Sequence, residues 1–260
     1  MSTNDLREKE YFVTRADKEM SENLVGVKRE LRAELAYAAR IIGLKGHEAG
    51  LAGQISGRAD NPKNYWTLRF GLGFEEAHSD DFLLVDGDMH TVNTKGMGNP
   101  ATRFHLWVYK DRPHVSCIIH AHSPWISALV AAVQPLVVAQ MDMCPFYDDC
   151  AFLGEWPGLP YGDEEGQIIS EALGDKRSII LANHGYLTTG KTVAEATYLA
   201  VLLERAAKTQ LRARVYGEVK PVPGSLAKES HDHQLSPTYT KATFDYWCRQ
   251  VDLASNNASR

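Results

Sequence analysis

No stretch of the chain approaches the roughly 20 consecutive apolar residues that a membrane-spanning helix needs, which excludes a helical membrane protein. Positive charge is also short: 28 Lys and Arg stand against 33 Asp and Glu, a formal net charge of −5, and no basic cluster offsets it. A surface that tracks phosphates needs the opposite balance, so nucleic acid is not an expected partner. The N-terminal residues Met1 to Glu8 are polar and charged, without the apolar core of an export signal. Cysteine is limited to Cys117, Cys144, Cys150 and Cys248, none at Cys-x-x-Cys spacing. Reduced thiols in a cytoplasmic protein are expected, rather than a disulfide framework. There is no internal repeat. With 44% hydrophobic and 23% charged residues, 260 residues are enough for a sizeable buried core.

What is present centres on Cys117-Ile118-Ile119-His120-Ala121-His122-Ser123-Pro124. An apolar run delivers two histidines two residues apart, and strand geometry sends both to one face. Two imidazoles at a strand end suit a divalent metal. A third ligand is expected at another strand end. Residues 178–182 form a second apolar run, closed by Asn183-His184-Gly185, and His184 is the chosen third ligand. His231-Asp232-His233 repeats the spacing in a polar, Lys/Glu/Ser-rich setting and is expected to be solvated.

Around these strands the chain divides into an N-terminal arm (1–20), a main domain (21–217) and a C-terminal extension (218–260) packed on that domain or on a neighbouring subunit. A helix is predicted from Ser21 through Leu24, Val27, Leu31, Leu35 and Ile42, stopping at Gly43. Four glycines between Gly46 and Arg58 mark tight turns and close backbone approach. Ser56 and Arg58 share a strand face there, a hydroxyl and a guanidinium suited to a carboxylate or phosphate. Strands are also predicted at 81–85 and 136–139, and Asp86-Gly87-Asp88 is a turn rather than a calcium loop. Pro100 starts a helix carrying His105. Ser123 and Pro124 start another, and Thr192 to Glu195 form a capping box before a long helix.

Residues 21–217 resemble the class II aldolase/adducin family. The resemblance rests on Ile118-Ile119-His120-Ala121-His122-Ser123, on Ile180-Leu181-Ala182-Asn183-His184-Gly185-Tyr186-Leu187-Thr188-Thr189-Gly190, on Phe104 to Pro113, and on Gly53-Gln54-Ile55-Ser56-Gly57-Arg58. It implies an α/β fold, a three-layer α/β/α sandwich around a mostly antiparallel sheet. It also implies one divalent metal per subunit on His120, His122 and His184, with Zn first and Mn, Fe or Co as alternatives. Family members often form tetramers with sites between subunits.

The departures bear on the reaction. The family's sugar-phosphate aldolases carry an asparagine where Gln54 stands, and a Ser-Ser-Glu cluster where this chain has Asn99-Pro100-Ala101. Alanine cannot move a proton, so their acid–base step does not transfer. A branch of the family lacking this Glu includes a decarboxylase of a pyridine dicarboxylate and iron oxygenases of aromatic 2-oxo acids. The expected activity is therefore a metal-dependent carbon–carbon lyase, decarboxylase or aldolase, acting on a small unphosphorylated hydroxy- or oxo-carboxylate. A non-haem iron oxygenase and a non-catalytic adducin-like protein are the alternatives. Gln54, Ser56, Arg58 and Asn99 are the expected substrate contacts. His105, one helical turn after Ala101, is the candidate acid/base. Tyr147 and Asp149 are candidates to serve a neighbouring subunit.

Overall fold

The computed structural model describes residues 3–47, 50–92, 95–159 and 162–258; Glu48 and Ala49 of the glycine-rich segment lie outside the described residues. Seven strands build one sheet: β1 (Gln54–Arg58), β2 (Tyr65–Leu68), β3 (Phe82–Val85), β4 (Cys117–Ala121), β5 (Cys150–Leu153), β6 (Ser178–Leu181) and β7 (Gly185–Gly190). Their order is β3-β2-β1-β4-β7-β6-β5. Every neighbouring pair is antiparallel except β5 with β6. The helices are α1 (Thr3–Asn23), α2 (Leu31–Leu44), α3 (Arg103–Asp111), α4 (Pro124–Ala131), α5 (Asp163–Leu173), α6 (Val193–Ala213), α7 (Gly224–Gln234) and α8 (Pro237–Ala258).

The layers follow from strand alternation. Cys117, Ile119 and Ala121 of β4 pack in one cluster with Leu35 and Ile42 of α2, Leu199 and Leu203 of α6, and Phe244 of α8. Ile118 between them packs in a second cluster with Phe104 and Tyr109 of α3 and Ile169 of α5. With helices on both sides, β4 is buried along its whole length and reads as a continuous apolar run. Ile118 and Ile119 are fully buried, and each contributes roughly 1.5–3 kcal/mol. His120 takes the α3 side of the sheet with Ile118.

Strand direction decides which residues meet. β4 and β6 end at one edge of the sheet, where antiparallel β1 and β7 begin. His120, His122, His184, Gln54 and Gly185 therefore gather at that edge. Arg58, Asp149 and Arg177 fall at the other, since Gln54 pairs with His120 while Asp149 sits at the start of β5, beside the start of β6.

Three expectations change. The predicted helix from Ser21 is interrupted: residues 24–30 lie in neither helix nor strand, and the regular apolar spacing is helical only in α2. α8 claims the intervening backbone, because Val27 N–H donates to Asp245 at 3.0 Å and Gly26 lies against the Lys241 side chain. The expected polar arm is helical from Thr3, carrying an Arg15–Glu19 pair at 2.7 Å and tied to α7 through Lys9–Glu229 at 2.5 Å. Residues 136–139 join no sheet. Gln210 of α6 takes the Val137 N–H at 2.6 Å, and Val138 O accepts from Val222 at 2.8 Å, so side chain and loop replace a ladder.

Candidate metal centre

His120 is 1% exposed, and its Nδ1 lies 2.6 Å from the Tyr186 carbonyl oxygen. A carbonyl only accepts, so Nδ1 carries the proton and Nε2 presents a lone pair. His122 Nε2 stands 3.0 Å from that nitrogen. The His184 ring is centred 4.8 Å from each of the other two rings. One nitrogen from each histidine falls within 4.8 Å of the others. A tight turn delivers His184: Asn183 adopts φ 57°, and His184 N–H donates back to Leu181 O at 3.1 Å. Gly185 then leaves room for His122, because a Cβ there would lie 2.7 Å from His122 Cδ2 and 2.6 Å from Ala121 O.

Burial holds all three imidazoles neutral. His120 is pushed well below its ordinary pKa by burial and then by its histidine neighbours. His122 is lowered by burial, and His184 falls to about 4 through burial and the charge of His122. Neutral nitrogen lone pairs are the form a metal takes. The donor set fits Zn, Fe, Co or Mn, and the Tyr186 carbonyl fixes the His120 ring in the manner of a buttress behind a metal ligand. A metal held by three protein nitrogens alone would keep positions open for another ligand.

The next residues anchor the strand end. Ser123 precedes α4, but its hydroxyl does not cap the helix as expected; it donates to Glu204 at 2.6 Å. Glu204, reaching across from α6, also accepts from the N–H groups of Trp125 and Ile126 at 2.8 and 2.9 Å. A buried carboxylate thus satisfies the orphan donors of the α4 N-terminus. Glu204 lies 81 residues from Ser123, and no local pattern announces the pairing.

The other candidates separate. Gln54 faces His120 in register, with its amide N–H donating to Ala52 O and Oε1 buried without a partner. Asn99 ties down the glycine loop, donating to Leu51 O at 3.0 Å and accepting from Ala101 N at 3.1 Å. Its side chain positions Ala101, which is 8% exposed on the α3 side. His105 is fully buried; its Nδ1 lies 2.8 Å from Ser56 Oγ, and its Nε2 has no partner. Burial drops its pKa to about 3. Phe104 stands edge-on to both His105 and His120, at 4.6 and 5.1 Å between ring centres.

Ser56 and Arg58 make their contacts away from the three clustered histidines. They do share a face of β1, but Ser56 is fully buried and bonded to His105 and Tyr109. Arg58, at the opposite end of β1 from Gln54, donates to the carbonyls of Val115 at 3.0 Å and Tyr109 at 2.8 Å. It borders a surface hollow of about 740 Å3 whose lining does not include the histidines.

Asp149 is held by contacts within its own chain. It accepts from Arg177 N and Nη1, both at 2.7 Å, and lies 3.1 Å from His231 Nε2, at the sheet edge away from His184. Tyr147 packs its hydroxyl at Gly224. His231, expected in solvent, is on α7 and largely covered; its hydrogen bond to Asp149 raises its pKa. The scaffold missing from the sequence reading is tertiary. Asp86, Asp88 and His90 also cluster, and Asp86 Oδ1 accepts from the N–H groups of Asp88 and His90, the pattern of a plain turn.

Residues 33–211 match the profile of the Class II Aldolase and Adducin N-terminal domain. The chain is 30% identical over 182 residues to a Streptomyces roseochromogenus subsp. oscitans protein named 4-hydroxy-3-prenylphenylpyruvate oxygenase/4-hydroxy-3-prenylbenzoate synthase, covering 69% of this chain and 66% of that protein. It is also 30% identical over 182 residues to Decarboxylase NovR of Streptomyces niveus, covering 69% of this chain and 67% of that protein. Among solved structures, an L-fuculose 1-phosphate aldolase from Glaciozyma antarctica PI12 superposes with a TM-score of 0.77 and 28% identity, covering 87% of this chain and 90% of the other.

Proposed function

Because the chain belongs to the class II aldolase and adducin family, we propose that it is a metal-dependent carbon–carbon lyase acting on a small, unphosphorylated hydroxy- or oxo-carboxylate. The observation that carries this reading is the convergence of three neutral imidazoles at one sheet edge, in a chain that has buried Ala101 where the sugar-phosphate aldolases resembled by the sequence keep a carboxylate. A divalent ion held by His120, His122 and His184, Zn first and Mn, Fe or Co next, would supply Lewis acidity for stabilising an enolate. Ala101 moves no proton, so cleavage that starts by losing carbon dioxide is favoured over one that needs a hydroxyl deprotonated by that position.

The remaining work falls to the chain's own groups. The unpartnered Oε1 of Gln54, a residue paired with His120, supports a role for it as acceptor of a substrate hydroxyl. Asn99 holds the loop that frames it. His105 Nε2, buried without a partner, is our candidate for proton handling. We assign the functional unit as a homotetramer in the cytoplasm, with Tyr147 serving a neighbouring subunit. No helix among the described residues is long and apolar enough to cross a membrane.

The name of the Streptomyces oxygenase relative supports a second reading, a non-haem iron oxygenase acting on an aromatic 2-oxo acid. An adducin-like, non-catalytic role has no use for three intact ligands. Metal analysis of the purified protein comes first, with stoichiometric metal expected, and with its loss together with activity in His120→Ala and His122→Ala. A panel of aromatic and aliphatic hydroxy- and oxo-carboxylates is then followed for released carbon dioxide, with and without oxygen. Undiminished turnover in a metal-free preparation sinks both enzymatic readings; turnover that stops without oxygen selects the oxygenase. Size-exclusion chromatography with light scattering tests the tetramer.

A further inference from the structure

We infer that Ser56 and Tyr109 are positioning residues that hold His105 in the Nδ1–H tautomer and leave its Nε2 as a bare lone pair on the sheet face of His120. The inference rests on the reading of His105 as the proton-handling group of the site. All three side chains are sealed from water, at 0% exposure for Ser56 and His105 and 1% for Tyr109. With no solvent to absorb a misdirected proton, the hydrogen bonds among them have to close on themselves.

Counting protons gives the direction. Tyr109 donates its only hydroxyl proton to the Ser56 backbone carbonyl at 3.0 Å, since a carbonyl can only accept. Tyr109 Oη is then an acceptor, and Ser56 Oγ, 3.0 Å away, is its donor. With the serine proton spent, Ser56 Oγ accepts from His105 Nδ1 at 2.8 Å. Every donor is used, and the one unpartnered group is an acceptor, Nε2.

The reversed chain, with Ser56 donating to Nδ1, moves the imidazole proton to Nε2. That strands a buried N–H with no acceptor, a rarer and costlier defect than an idle lone pair. It also leaves no proton for the 3.0 Å contact between Ser56 and Tyr109 unless the tyrosine proton is withdrawn from the carbonyl.

The relay is held rigidly at each end. Ser56 is paired on both sides, with Thr67 of β2 and Ile118 of β4. The Tyr109 ring stacks on Tyr65 at 4.8 Å and lies beneath the Arg58 guanidinium, also 4.8 Å away. Arg58 further donates to the Tyr109 carbonyl at 2.8 Å. Residues that invited assignment to substrate thus fix one imidazole. A neutral His105 in this form offers Nε2 as a hydrogen-bond acceptor and has no proton there to give.

Long-range proton–nitrogen correlation spectra of the 15N-labelled full chain distinguish the two tautomers, with His105→Gln identifying the resonance. Wild type should show the Nδ1–H form in excess by on the order of tenfold or more. Tyr109→Phe frees the Ser56 hydroxyl to donate to Nδ1 and should turn His105 towards Nε2–H, with metal content unchanged. Once a substrate is known, the same variant should lower kcat and leave KM unchanged. A wild-type spectrum dominated by Nε2–H overturns the inference by itself, even if Tyr109→Phe fails to fold. An unchanged tautomer ratio in folded Tyr109→Phe and Ser56→Ala overturns it too. The spectrum needs no turnover, so failure of the lyase reading and failure of this assignment are separate results.

Discussion

Replacing Gly185 by alanine probes how closely the fold must approach His122. The added Cβ would sit 2.6 Å from Ala121 O and 2.7 Å from His122 Cδ2. The second contact falls about 0.7 Å short of ordinary van der Waals distance, deep in the repulsive wall. Neither neighbour yields easily. The carbonyl belongs to the end of the β4–β7 ladder, where Ala121 pairs with Tyr186, and the ring belongs to the three-histidine cluster. Two effects oppose one another. Alanine restricts the unfolded chain, a gain of about 0.4–1 kcal/mol where the backbone conformation is compatible. Overpacking costs about 1–3 kcal/mol. The clash should win, for a net loss of roughly 0.5–2 kcal/mol. Displacing the His122 ring should also weaken metal binding about 10–100-fold, as disturbed support of a ligand does. Chelator-competition titration measures the affinity, and guanidinium unfolding the stability. An alanine variant that is more stable than wild type and keeps wild-type metal affinity would refute the close approach.

Glu204→Ala removes the acceptor of the Ser123 hydroxyl and of two N–H groups at the α4 N-terminus, so a loss of about 2–4 kcal/mol is expected in denaturant unfolding; a change below about 1 kcal/mol would disprove the capping role. His47 is fully buried and its pKa falls from 6.5 to about 3 through burial, so the folded state refuses a proton that the unfolded state takes. Its contribution is complete above pH 6.5 and is lost as pH falls from there towards 3. Between pH 7 and pH 5 wild type should lose about 2 kcal/mol more than His47→Leu, read from unfolding curves at the two pH values; parallel losses would contradict it. His231 runs the other way: its raised pKa stabilises the Asp149 contact below pH 6.5 and that support disappears as pH rises through the raised value. His231→Gln should therefore flatten stability on the alkaline side, as followed by thermal unfolding across pH.

Much of the site is local and could be read directly. A strand's period of two places His120 and His122 together, and an apolar run before each turn marks where β4 and β6 stop. Ala101 stands out only beside the family pattern, because an alanine has no chemistry to notice. Helix starts written in single residues were less secure. Ser123 looks like a cap, yet the Glu204 carboxylate takes its hydroxyl, since a charged acceptor shared among three donors outcompetes a neutral oxygen serving one.

The amino-acid sequence alone marked the three histidines, because apolar periodicity and strand-end residues act over a few positions; the layered α/β architecture and the missing carboxylate were legible in it only through the family resemblance. Tertiary structure decided everything that depends on strand direction. Antiparallel pairing carries Arg58 to the edge away from His120 and brings Gln54 to it, though the two residues lie on one face of one strand. Parallel pairing of β5 with β6 sets Asp149 beside Arg177, not beside His184. Two residues on one strand face can thus lie at opposite edges of the sheet, and only the register and sense of pairing say which one meets the three histidines.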